Sequence, residues 1–487
     1  MADVPQEGSA AGAVECPGET VRGSAKAVRN TEETRGPDEA LRGLVLEVKP
    51  LVCLHDVLPS IRVSGLPPHT PLTLRADTHD DEGRKFSSYA HYTSDESGCV
   101  DVSSSESVGG SYTGVFPAGL LSSLRGVPDK FIRLWKTDCV TPWKVKVTAS
   151  QGHLELEDEA VGEVSQVLHR HLLGPGVRRV PVRHGRVRGA LYLPAGPGPF
   201  PGVVDVFGGF GGLLEYRAAI LASRGFAALA LAYFDYDDLP KTLENLELDY
   251  FEEAMEFLLA QDEVIPDRCA VLSSSKGSDT ALAMGIHLDK VKAVITIGGL
   301  LIASMTTLTY KGQQIWKGVD TNNPDIMVGE NIDQTRLKKM MQEIFRHDHP
   351  LIPQCEKASN DTFFFLVAGD DDKLCTRYAA EAVAQRMKIH GRENNCRTII
   401  YPKVGHILEM PYNAHGPYSY IKVPISSKGT MELKDIVIKW GGDPAGTCLA
   451  QEDFWCQLRV FIDRHIRDLS HWYQNFLQQS QITNRRN

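Results

Sequence analysis

Cys269-Ala270-Val271-Leu272-Ser273-Ser274-Ser275-Lys276-Gly277 is followed by a helix-forming segment over 279–288. The order is therefore apolar strand, tight turn, helix. A serine on such a turn is held in a strained conformation with its hydroxyl above the sheet edge, and the backbone N–H of the next residue is aimed at an oxyanion. Spacing selects among the three serines. A glycine two places after the nucleophile removes a Cβ that would hold strand and helix apart, and Gly277 stands in that relation only to Ser275. Ser273 takes the position where such turns usually carry glycine and adds a hydroxymethyl group at a crowded spot. The competing account is a serine-rich turn that merely caps a helix; residues downstream decide between the two.

Phe363-Phe364-Phe365-Leu366-Val367 has the continuous apolar character of a buried parallel strand and runs into Ala368-Gly369-Asp370-Asp371-Asp372. Further on, Thr398-Ile399-Ile400-Tyr401 reads as another strand and ends in Pro402-Lys403-Val404-Gly405-His406. A helix over 378–390, with Ala380, Val383 and Met387 on one face, separates the two. Serine, acid and histidine in that chain order, each after a strand, is the arrangement of an α/β-hydrolase triad. Upstream, Val203-Val204-Asp205-Val206-Phe207 leads into Gly208-Gly209-Phe210-Gly211-Gly212, where this fold supplies its second oxyanion donor. The candidate backbone donors are Lys276, Gly208 and Gly209. The glycine spacing is not G-x-G-x-x-G and no early βαβ unit accompanies it, which disfavours a nucleotide cofactor.

The 487 residues exceed what one hydrophobic core usually supports, and 42% apolar with 23% charged residues is ordinary for a globular chain. Residues 1–43 are poor in bulky apolar side chains and are expected to be a disordered extension, without the apolar core of a signal peptide and too acidic for a transit segment. Residues 44–173 carry short alternating segments, among them 60–68, 72–76, 86–92, 131–134 and 143–147, which predict an antiparallel β-sandwich. From 174 to 475, strands over 180–192, 203–207 and 227–233 alternate with helical patterns over 213–223 and 246–260, which predicts a mostly parallel sheet with helices on both faces. Residues 476–487 read as a flexible tail. The fold class expected is α/β, a C-terminal α/β-hydrolase domain preceded by the sandwich. A net charge of −10 disfavours nucleic acid as a partner. No stretch has the length of a membrane helix. Ten cysteines without a C-x-x-C pair suit a reducing compartment, and the expected location is cytoplasmic. His169-Arg170-His171 and His347-Asp348-His349 lack a framework of further ligands, so no metal is expected.

Longer stretches resemble a known family. Gly196-Pro197-Gly198-Pro199-Phe200-Pro201-Gly202, Gly211-Gly212-Leu213-Leu214-Glu215-Tyr216-Arg217-Ala218, Leu231-Ala232-Tyr233 with Asp238-Leu239-Pro240, and Tyr250-Phe251-Glu252-Glu253-Ala254-Met255 are similar to the type I acyl-CoA thioesterases, a family that includes bile acid-CoA:amino acid N-acyltransferase. The likeness continues through Ser275-Lys276-Gly277, Tyr310-Lys311-Gly312, Tyr401-Pro402, Gly405-His406, Pro411-Tyr412 and Trp440-Gly441-Gly442, and covers about 45–470. By position, the resemblance implies Ser275 as nucleophile, His406 as base and Asp371 as acid, since the following helix then registers Arg386 and His390-Gly391-Arg392 without a gap. It also implies that the sandwich is the family's own first domain. The expected reaction is hydrolysis of fatty acyl-CoA to free acid and CoA through an acyl-serine. Two alternatives stand beside it: amino-acid N-acylation with glycine or taurine as acceptor, and a non-catalytic acyl-binding protein. Family acyltransferases carry cysteine at the nucleophile, so the serine here favours water as acceptor.

Overall fold

The computed structural model describes residues 43–467, apart from 160–161, 244, 300–305, 318–326, 329–330, 333–337, 340–341, 344–348, 350–351 and 428–429. The extension expected over 1–43, except Gly43, the tail over 476–487, and the pair His347-Asp348 lie outside the described residues.

The first part of the chain forms two sheets. Val45–Lys49, Ser60–Ser64 and Val100–Asp101 make a small antiparallel one. The larger runs in the order Val52–Leu54, Glu163–His171, Trp143–Gln151, Pro71–His79, Lys85–Thr93, Gly109–Gly110, and its first pair is parallel. Alternation explains how these strands build a core. In Trp143–Gln151 the side chains of Trp143, Val145 and Val147 are buried while Lys144 and Lys146 face water. They join Val63, Leu72, Leu74, Tyr92 and Leu168 in one apolar cluster. One expected strand is absent. Residues 131–134 follow a turn in which the Asp129 carboxylate accepts from Phe131 N at 2.9 Å, and both Arg133 and Leu134 are buried, so the alternation a half-exposed strand needs is missing.

The second part is an eight-stranded sheet. Its strands, in chain order, are β1 Arg178–His184, β2 Val187–Leu193, β3 Phe200–Val206, β4 Ala227–Ala232, β5 Val264–Ser274, β6 Val291–Ile297, β7 Phe363–Gly369 and β8 Cys396–Tyr401. Their spatial order is β1-β2-β4-β3-β5-β6-β7-β8; β2 runs antiparallel to both neighbours and all other pairs are parallel. Helices cover both faces, as continuous apolar strands require. Helices α1 Tyr216–Ser223 and α5 Pro444–Ile466 pack on the face that receives Val203, Ala270 and Ile295. Helices α2 Leu248–Leu259, α3 Gly277–His287 and α4 Arg377–Ile389 pack on the face that receives Val204, Val271 and Val294. This is an α/β-hydrolase sheet preceded by a β-sheet domain. A long antiparallel hairpin, Tyr418–Ser427 with Thr430–Lys439, follows β8 and leads through Trp440-Gly441-Gly442 into α5.

Candidate active site

The elbow forms where β5 gives way to α3. Ser275 has φ +50°, in the left-handed region that costs a residue with a Cβ about 1–2 kcal/mol. Its amide donates to the Ile297 carbonyl at 2.8 Å, and its own carbonyl accepts from Ser278 N at 3.1 Å, so the strained turn is pinned on both sides. Gly277 meets the steric requirement read from the sequence. A Cβ there would lie 2.3 Å from the Phe207 carbonyl oxygen and 2.7 Å from that of Val206, so a side chain would drive α3 away from the end of β3. The hydroxymethyl of Ser273 is accommodated in full burial by donating to the Ile295 carbonyl at 3.0 Å.

His406 lies in the turn after β8. Its Nε2 is 2.9 Å from Ser275 Oγ and its Nδ1 is 3.0 Å from Asp372 Oδ2. Its backbone N–H donates to the Trp440 carbonyl at 3.0 Å, and the imidazole stacks on the Trp440 ring with centroids 5.3 Å apart. The carboxylate meeting the imidazole is thus that of Asp372, one residue beyond the position expected. The turn after β7 sends its three aspartates to three places. Asp370 accepts from Lys403 N at 2.7 Å and ties down the start of the histidine turn. Asp371 accepts from Gly442 N at 2.8 Å and pairs with Lys373; burial works to raise its pKa, but these two donors outweigh it and hold the carboxyl below its ordinary value. Asp372 is buried, takes the Leu374 amide on Oδ1 at 2.8 Å, and takes Thr376 Oγ1 and His406 on Oδ2.

The glycine loop after β3 approaches the elbow closely. A Cβ on Gly208 would be 3.0 Å from Ser275 Cβ, and one on Gly209 would be 3.8 Å from the Lys276 Cβ. The structure thus brings Gly208, Gly209 and Lys276 around Ser275. Lys276 is the N-cap residue just before α3, its ammonium 2.8 Å from Asp279.

Residues the sequence did not mark as functional pack around the candidate site. Trp440 belongs to the resemblance motif but carried no assigned role. From the first domain, Trp135 packs its ring against Phe207, Phe210 and Tyr216, with centroids 5.4–6.2 Å apart. Arg133 forms a buried ion pair with Glu409, three residues beyond His406. Among the described residues there is no cluster of side chains suited to a metal ion, and no helix is long and apolar enough to cross a membrane.

The chain matches two family models: residues 56–184 match the acyl-CoA thioester hydrolase/BAAT N-terminal region, and 246–468 match the BAAT/acyl-CoA thioester hydrolase C-terminal region. It is 38% identical to acyl-coenzyme A thioesterase 1 of Mus musculus over 413 residues, 84% of this chain and 93% of that protein. It is 39% identical to the mitochondrial acyl-coenzyme A thioesterase 2 of Homo sapiens over 435 residues, 89% of this chain and 86% of that protein. It is also 38% identical to the bile acid-CoA:amino acid N-acyltransferase of Mus musculus over 426 residues, 86% of this chain and 97% of that protein. With both halves of the chain matched and this identity sustained along nearly all of its relatives' length, the protein belongs to the acyl-CoA thioester hydrolase/BAAT family.

Proposed function

We propose that the protein is an acyl-CoA thioesterase that works through Ser275, His406 and Asp372. The observation that carries this is the unbroken hydrogen-bonded line from Ser275 Oγ through both ring nitrogens of His406 to Asp372, in a chain similar to named thioesterases. His406 takes the hydroxyl proton as Ser275 Oγ attacks the thioester carbonyl, and Asp372 holds the ring and stabilises the imidazolium. Backbone N–H groups of Gly208, Gly209 and Lys276 receive the oxyanion. When the tetrahedral adduct collapses, the C–S bond breaks, the departing sulfur takes the proton held by His406, and CoA leaves as the thiol with the imidazole neutral again. A water then gives its proton to His406 and attacks the acyl-serine, and the acid departs as the serine regains its proton.

A second acceptor has support in the likeness to the N-acyltransferase. The nucleophile separates the two: an acyl ester is attacked by amines less readily than an acyl thioester, so Ser275 favours water. Purified protein given acyl-CoA with glycine or taurine is expected to release CoA thiol and free acid. A predominant N-acyl product would overturn hydrolysis. Ser275→Ala is expected to lose on the order of 10⁶-fold in kcat, and unchanged turnover would defeat the assignment. The proposed setting is the cytosol, on the ground that the described cysteines are all free thiols. Recovery of the protein from the mitochondrial matrix on fractionation would refute it.

A further inference from the structure

Two consecutive glycines are a hazard in an oxyanion hole. A peptide unit flanked by residues without Cβ rotates at little steric cost, and a rotated unit presents a carbonyl oxygen, rather than an N–H, to developing negative charge. Something must hold Gly208 and Gly209 in one orientation. The structure offers Tyr233, just beyond β4 and buried. Its hydroxyl lies 2.7 Å from the Phe207 carbonyl oxygen and 2.7 Å from that of Gly208. Those oxygens belong to the two consecutive peptide units whose N–H groups are those of Gly208 and Gly209. In a planar trans peptide the C=O and N–H point opposite ways, so a phenol holding both oxygens turns both donors away from itself. The nucleophile lies close by: the Gly208 Cβ position is 3.7 Å from Ser275 Oγ. Among the described residues, no backbone carbonyl accepts from either N–H.

We propose that Tyr233 is a positioning residue that locks the Gly208 and Gly209 peptides with their donors toward Ser275. The inference rests on Ser275 being the nucleophile. The ring is held independently of the hydroxyl, by Phe234 with centroids 5.2 Å apart and Phe251 at 5.6 Å, so phenylalanine fits the same space. Burial, with the Asp279 charge adding to it, pushes the phenol's pKa far up and keeps the hydroxyl a donor.

The test compares Tyr233→Phe with the unsubstituted protein in the rate of Ser275 labelling by a fluorophosphonate, whose phosphoryl oxygen gains charge during attack as a carbonyl oxygen does. The variant is expected to melt in one cooperative transition, to reach the same labelling endpoint, and to label about 10- to 100-fold more slowly, somewhat less than the loss of a whole oxyanion donor. With acyl-CoA its kcat is expected to fall by a similar factor at unchanged KM. Equal labelling rates overturn the role of Tyr233. So does a variant that fails to fold, since the hydroxyl would then serve the fold, or one in which KM alone changes. Labelling of both proteins without acyl-CoA hydrolysis by either would count against the substrate assignment and leave the ratio of labelling rates to decide on Tyr233. Absence of labelling in the unsubstituted protein overturns Ser275 and this inference together.

Discussion

Asp371 and Asp372 are neighbours with different partners, and substitution separates them. Asp372→Asn keeps the shape but replaces the carboxylate that orients the imidazole, and kcat is expected to fall on the order of 10⁴-fold. Asp371→Asn disturbs the contact with Lys373 and the Gly442 amide, and its steady-state kcat is expected to change far less. Equal losses in the two variants would contradict the geometry. The contrast shows what a sequence reveals at this scale. Ser275 was separable from Ser273 and Ser274 because the demand on Gly277 is local and steric. The acid was legible only as a cluster: which of three adjacent carboxylates reaches His406 depends on a turn whose partners, Lys403, Val404 and Gly442, lie far along the chain.

Strands β3, β4, β5, β7 and β8 were legible because each contains a short apolar run beside turn residues, and most helices because their apolar spacing is regular; β6, Val291–Ile297, was not singled out. The hairpin Tyr418–Ser427 with Thr430–Lys439 escaped notice, as did α5. The helix had a start signal: Asp443 accepts from Gly446 N at 2.8 Å, with Pro444 in the first turn. Asp443→Ala is expected to cost about 1 kcal/mol of stability, read as a lower urea midpoint at unchanged slope. The turn before α5 also predicts a pH response. His415 Nε2 is 3.1 Å from the Gly442 carbonyl and its Nδ1 is 3.2 Å from Thr447 Oγ1. Burial, aided by the Arg125 charge, depresses its pKa to about 4. The unfolded chain takes up this proton near pH 6.5 and the folded chain only near 4, so between them the unfolded state binds more protons and stability falls as pH falls. Urea midpoints measured from pH 7 to pH 5 are expected to decline, and to decline less in His415→Gln. His465, depressed to about 4 chiefly by burial, acts in the same direction and preserves part of the slope.

The two parts of the molecule are joined by charges that the sequence did not pair. Arg133 meets Glu409 in burial, Arg224 Nε donates to Asp56 at 2.7 Å, and Arg170 Nη1 donates to the Tyr412 carbonyl at 3.1 Å. Residues 131–134 were read as a strand because their composition suits one; Arg133 turns to Glu409 in the second part while Leu134 joins the core of the first, and these contacts override that propensity. Arg133→Met leaves the Glu409 carboxylate buried without its cation and is expected to cost about 3–5 kcal/mol in chemical denaturation, with part recovered on adding Glu409→Gln. An unchanged midpoint would show that the pair contributes nothing. The bond from His406 N to the Trp440 carbonyl reaches further still. Trp440 follows the hairpin, so the turn that carries the candidate base is anchored by a segment separate from the strands and helices around Ser275 and Asp372. Release of that segment would take from His406 both the bond that fixes its turn and the ring it stacks on.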